Sequence, residues 1–276
     1  MIRMCLQVTP LSDDCALIEY LEHHERFRTL IAAHYPIDSA VGTTRGRDSE
    51  LVLAPTSSLR HFGAMCARVP PYVLRSAVEE SSACAGDFIC KKSNFLEAIS
   101  DMTVFSYLCG VGDRHLENLM YSEQGGACHV DCGAILQYGG EELPPARLTR
   151  NVLALCDTQV LESRLQSRIQ SLRGSELVLP SISVTFKWMG QIFMDKLPYI
   201  NSLIKGTSLS YTVTKEVLSK STQPYKDKYI KLLEDVFEGF EVKELYSVEE
   251  QVSSLLLQST DPRILSVTRA NWEPWI

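Results

Sequence analysis

Gly110-Val-Gly-Asp113-Arg114-His115-Leu-Glu-Asn118, followed a short way on by His129-Val-Asp131-Cys132-Gly133, sets the reading of the whole chain. An aspartate, an asparagine five positions later and then an Asp-x-Gly is the spacing that phosphoryl transfer uses. One carboxylate orients an attacking hydroxyl, and two oxygen ligands hold magnesium on the nucleotide phosphates. Asp113 takes the first role, Asn118 and Asp131 the second, with Mg2+ as the metal and ATP as the substrate it accompanies. Singly, each residue has a plainer use: an Asp caps a helix, a His sits satisfied in a core, an Asp-x-Gly makes a turn. The reading therefore depends on the surrounding elements.

Those elements fit. Asp87 to Cys109 reads as a helix with Phe95, Ile99, Met102 and Phe105 at helical spacing, and Gly110 ends it where a C-terminal glycine is expected. Met120 and Tyr121 lead into the turn Glu123-Gln-Gly-Gly126, and Ala127 to Val130 reads as the returning strand of a hairpin that delivers Asp131. Both magnesium ligands then sit on rigid neighbours, as positioning catalysis requires.

The order Asp113-Arg114-His115, with the histidine after the aspartate and Gly-x-Gly in front, resembles the phosphatidylinositol-3-kinase-related family rather than ordinary protein kinases, which read His-Arg-Asp. The resemblance implies that His115 faces the transferring phosphate and stabilises its charge, with Gly112 and Arg114 completing the catalytic loop. It implies an activation segment entered at Cys132 and Gly133 and closed by Ala146 to Asn151, Thr149 within it. Cys132 stands where the family has Phe, and the smaller side chain packs less apolar area beside Asp131. Cys5 to Pro10 alternates like a strand, and Ala16 to Glu22 resembles the family's hinge. There the backbone of Glu19 and Leu21 would offer hydrogen bonds to adenine and Tyr20 would stand where a tryptophan is usual. The glycine-rich loop and phosphate-binding lysine that precede a hinge are not in the sequence, whose first lysine is Lys91. The expected fold is thus α+β and mostly helical. It is the C-terminal, large lobe of a PI3/PI4-type kinase with hinge strands, catalytic-loop hairpin and C-terminal FATC helix, the small lobe largely absent. Residues 1–243 form the partial catalytic domain and 244–276 the FATC domain.

At the far end Ser247 to Leu257 reads as a capped amphipathic helix. Ser247 and Glu250 form a capping box, Val248, Val252, Leu255 and Leu256 line one face, and Asp261-Pro262 breaks it. Ser259 to Leu265 and Trp272-Glu-Pro-Trp275 resemble the FATC segment of the DNA-dependent branch of the family, and two tail tryptophans are expected to dock on the lobe. Val69 to Arg75 reads as a proline-started helix. Leu161, Leu165, Ile169 and Leu172, then Ile182, Phe186, Met189 and Phe193, read as core stripes of helices, and Pro36 to Ser58 as a polar surface loop.

Composition narrows the class. With 45% hydrophobic residues the chain can bury a sizeable core, yet no apolar run approaches the ~18 residues of a membrane span. Nine cysteines without a Cys-x-x-Cys pair suit reduced thiols rather than a disulfide framework or zinc site. The net charge of −7 speaks against this segment itself gripping nucleic acid. Ala134 to Ala146 contains two glutamates and no lysine or arginine, a poor cradle for an inositol phosphate head group, which favours protein acceptors over lipid ones. The resemblance further implies a nuclear serine/threonine kinase acting on Ser/Thr-Gln sites in double-strand break repair by end joining. Ku and DNA ends would be engaged through regions outside this chain. The alternatives are a pseudokinase-like interaction fragment without turnover and a phosphatidylinositol kinase.

Overall fold

The computed structural model describes residues 8–12, 14–34, 55–112, 114–131, 134–138 and 143–267. A two-stranded antiparallel ribbon, β1 (Val8–Ser12) and β2 (Cys15–Ile18), comes first, with a register shift between Pro10 and Ser12. β3 (His24–Arg26) then joins β4 (Leu119–Ser122) and β5 (Ala127–His129) in a three-stranded antiparallel sheet of order β3-β4-β5. The rest is helical: α1 (Phe27–His34), α2 (Pro55–Arg68), α3 (Val73–Glu80), α4 (Ala85–Cys109), α5 (Arg150–Leu155), α6 (Thr158–Gly174), α7 (Val178–Met189), α8 (Gln191–Met194), α9 (Leu197–Lys205), α10 (Ser210–Lys220), α11 (Lys226–Val236), α12 (Val248–Thr260) and α13 (Pro262–Leu265). This is the mostly helical α+β architecture expected.

α4 is the axis of the molecule. It buries Phe95, Leu96, Ala98, Ile99 and Val104 in one core with Leu161, Leu165 and Ile169 of α6 and Val252 and Leu255 of α12. Phe95 also closes an aromatic triangle with Phe27 of α1 and Tyr121 of β4, ring centroids 6.2 to 6.4 Å apart. Ion pairs reinforce the same contact from outside: Arg168 reaches Glu97 at 2.5 Å and also pairs with Asp101, and Arg164 pairs with Glu97. A second core gathers Leu209, Tyr211, Leu218, Leu233, Phe237 and Tyr246, where Tyr211 and Phe237 stack at 3.9 Å.

Local details refine the sequence expectations. α4 begins at Ala85, ahead of Asp87, because the Asp87 carboxylate accepts the Ala83 N–H at 2.9 Å and so stabilises an earlier first turn. Pro70 and Pro71 do not start a helix. They precede the turn from which α3 departs at Val73, while Asn151 receives Leu74 N–H and donates to the Pro70 carbonyl. The stripe of Ile182, Phe186, Met189 and Phe193 is core in large part: Phe186 is buried and Ile182 and Phe193 pack against the same core, while Met189 is half exposed. Ser247 caps α12 as expected, accepting Glu250 N–H at 3.1 Å while Glu250 accepts Ser247 N–H at 2.8 Å. Trp272 and Trp275 lie outside the described residues. No helix among the described residues is long and apolar enough to cross a membrane.

The seven described cysteines are free thiols, with Cys15, Cys84 and Cys90 exposed and Cys128 and Cys156 buried. Burial pushes the Cys156 thiol up to about 12, so it holds its proton at pH 8 and offers no thiolate. Iodoacetamide at that pH should therefore label Cys15, Cys84 and Cys90 in the native protein and Cys156 only after denaturation, read by peptide mass spectrometry.

Candidate active site

The catalytic loop is shaped by where α4 stops. Gly110 adopts φ 51°, ψ 52° and returns its N–H to the Ser106 carbonyl, a left-handed helix end. A Cβ there would meet the Tyr138 ring at 2.9 Å, so glycine is required for space as well as conformation. The segment after Asp131 is knitted to this stop in consecutive steps. Gly112 N–H reaches the Ala134 carbonyl at 2.6 Å, Leu136 N–H the Cys109 carbonyl at 2.6 Å, and Gln137 N–H the Gly110 carbonyl at 2.9 Å. The Tyr138 hydroxyl donates to the Leu108 carbonyl.

Arg114 ties the loop to the far end of the same segment. It is 6% exposed, and its guanidinium donates from Nη1 to the Pro145 carbonyl at 2.6 Å and from Nη2 to the Pro144 carbonyl at 2.7 Å. Leu116 is buried beneath the loop. His115 is half-buried, and its Nδ1 accepts Glu117 N–H at 3.2 Å. That bond puts the ring proton of a neutral imidazole on Nε2, which makes His115 a donor in the direction away from the loop backbone.

The hairpin brings the two metal-ligand candidates together. Leu119 pairs with His129 and Val130 N–H donates to the Asn118 carbonyl at 2.8 Å, so Asn118 and Asp131 leave the ends of paired strands. Asp131 has φ 60°, a left-handed backbone that few residues other than glycine accept and that a rigid surround must hold. An amide oxygen and an exposed carboxylate form a hard-oxygen donor set suited to Mg2+, which usually takes one or two protein ligands and completes its shell with water and phosphate. Gly125 seats the hairpin turn directly on α4: a Cβ there would lie 2.3 Å from the Lys91 carbonyl oxygen. Backbone touches backbone at that point.

The hinge candidates lie on the connection that leads into this sheet. Glu19, Tyr20 and Leu21 connect β2 to β3, and Tyr20 is 86% exposed with its ring open to solvent. β3 pairs Arg26 with Met120, and just beyond it Arg28 N–H reaches the Leu116 carbonyl at 3.2 Å while its side chain pairs with Glu117 at 3.2 Å. Hinge and catalytic loop are thereby fixed through a few residues of one sheet, a link that sequence inspection missed. Thr149 is buried and caps α5 by accepting Val152 N–H, so its hydroxyl serves the fold. Asp113, Cys132 and Gly133 lie outside the described residues.

Comparison with known proteins follows the same line. Residues 5–177, more than half of the chain, match the family described as phosphatidylinositol 3- and 4-kinase, and the chain belongs to that family. It is 24% identical to the serine-protein kinase ATM of Sus scrofa over 66% of this chain and 7% of that protein. With the DNA-dependent protein kinase catalytic subunit of Canis lupus familiaris it shares 27% identity over 80% of this chain and 6% of that protein. The chain thus spans less than a tenth of either relative. The solved FAT and kinase domain of CtTel1 superposes with a TM-score of 0.64 over 98% of this chain and 18% of that one. At 18% identity that likeness establishes the fold alone.

Arg114 bridges two carbonyls at once, and a point charge does not. Arg114→Met should lower stability by about 3 kcal/mol in urea titration, since charged hydrogen bonds to partly buried carbonyls are lost. Arg114→Lys should recover less than half of that.

Proposed function

We propose that this chain is the catalytic lobe of a protein kinase that transfers the γ-phosphate of ATP to serine or threonine hydroxyls. Asp113 orients the acceptor hydroxyl and Asn118 and Asp131 hold Mg2+, which when bound neutralises charge on the phosphates. His115 donates from Nε2 to the transferring group, and the backbone of Glu19 and Leu21 with the ring of Tyr20 seats the adenine. The observation that supports this reading is the backbone bond from Val130 N–H to the Asn118 carbonyl, which puts Asn118 and Asp131 on adjoining strand ends. Protein rather than lipid acceptors are favoured because Ala134 to Ala146 contains no basic residue. Assignment to the DNA-dependent branch, with Ser/Thr-Gln acceptors, end joining, Ku and the nucleus, rests on the tail residues 259–265 and 272–275, since ATM and the DNA-dependent kinase match the chain with similar identity. The division into a catalytic domain at 1–243 and an FATC domain at 244–276 belongs to the same reading.

In the full translation product that carries this chain, Asp113→Asn and Asp131→Asn should each abolish transfer from labelled ATP to a Ser-Gln peptide without shifting the melting temperature. His115→Ala should lower kcat by about 10²-fold and leave the KM for ATP nearly unchanged, because its bond strengthens as charge develops. Wild-type rates in the Asp131→Asn protein would end the kinase assignment.

A further inference from the structure

Two amides on the inner face of α12 reach two separate parts of the lobe, Tyr107 at the end of α4 and Leu143 beyond Asp131. Gln251 and Gln258 are 1% and 0% exposed, and their seven-residue spacing keeps them on one helix face. Gln251 Nε2 donates to the Tyr107 hydroxyl at 2.8 Å and the Leu203 carbonyl at 2.7 Å, while its oxygen accepts Arg173 Nε at 3.1 Å and Nη2 at 2.6 Å. Tyr107 lies in the last turn of α4, just ahead of Gly110. Gln258 Nε2 donates to the Leu143 carbonyl at 2.9 Å, and its oxygen accepts the Ser210 hydroxyl at 2.6 Å. Leu143 adjoins Pro144 and Pro145, whose carbonyls Arg114 holds.

Tyr107 and Leu143 are each packed in a core, but a gap lies between them. Tyr107, Gly110, Arg114, Leu143, Ser210 and Thr214 wall a cavity of ≈20 Å³, about the room one water needs. Around such a gap, position is set by directed bonds. An apolar side chain of the same length would fill the volume of either glutamine and specify no geometry, whereas a fully satisfied buried amide specifies one.

We propose that Gln251 and Gln258 are positioning residues. Gln251 acts through Tyr107 on the catalytic loop and Gln258 acts through Leu143 on the segment beyond Asp131, so α12 sets both halves of the site in one register. The inference rests on the kinase reading for what those halves do, and its test is chosen to need no turnover.

Hydrogen–deuterium exchange on the full chain separates the two branches. Gln258→Met should speed exchange of amides in 143–149 about tenfold and leave 107–112 unchanged, the loss expected for one buried bond. Tyr107→Phe, which removes only the hydroxyl, should open 107–112 and leave 143–149 unchanged. Should Gln258→Met fail to fold, Ser210→Ala decides, because it keeps the amide and removes the hydroxyl that orients it: faster exchange confined to 143–149 supports the proposal. Exchange that rises equally in both segments, or stays at the wild-type level, overturns it. Where turnover is measured, Gln258→Met should raise the peptide KM with the ATP KM unchanged, while Tyr107→Phe should lower kcat. A protein that exchanges as expected but never turns over would count against the kinase reading and not against the positioning role.

Discussion

The left-handed stop at Gly110 is the constraint from which the site descends. The turn needs a left-handed backbone, and a Cβ at 110 would meet the Tyr138 ring at 2.9 Å. Because the chain turns there, its backbone groups face the segment 134–138 and are consumed by it in consecutive hydrogen bonds. Loop and segment are therefore one knitted unit rather than two neighbours, and Arg114 closes the unit at its other end.

A phosphoryl-transfer site asks little covalent chemistry of its protein and much positional accuracy. For the function proposed above, the structure supplies that accuracy with redundancy of a particular kind. The hairpin is held by its strand pairs, by β3 from the other side and by Gly125 against the Lys91 carbonyl. The loop is held from the front by Arg28 and Glu117 and from behind by Tyr107 and α12. The left-handed backbone at Asp131 is held from the strand side, where Val130 N–H bonds to the Asn118 carbonyl.

What the sequence discloses is what is local. The stop of α4, the hairpin turn and the capping box at Ser247 each depend on residues a few positions apart, and each appears in the structure where the sequence places it. What it conceals is what joins distant positions. Gln251 meets Tyr107 across 144 residues and Gln258 meets Leu143 across 115, and no spacing rule connects them. The available signal was two glutamines seven apart on a face that also carries Ser254, which a pattern of hydrophobic residues alone passes over. The stripe from 182 to 193 is only partly legible for the opposite reason. Periodicity reports which residues share a face and says nothing of whether another element covers all of it: Ile182, Phe186 and Phe193 reach the core, and Met189 stays half exposed.

α4 can also be considered as a mechanical part. Its 25 residues make a rod of about 37 Å, with the catalytic loop at one tip and the exposed Cys84 at the other. A tilt of about 2° pivoting on the outer tip displaces the inner one by about 1 Å, enough to cost on the order of a hundredfold in a reaction that depends on alignment. The Gly125 contact at Lys91 and the Asn94 bond to the Gln124 carbonyl lie near the outer third of that rod. They act as its bearing, and the hairpin whose ends carry Asn118 and Asp131 must swing with the helix rather than against it.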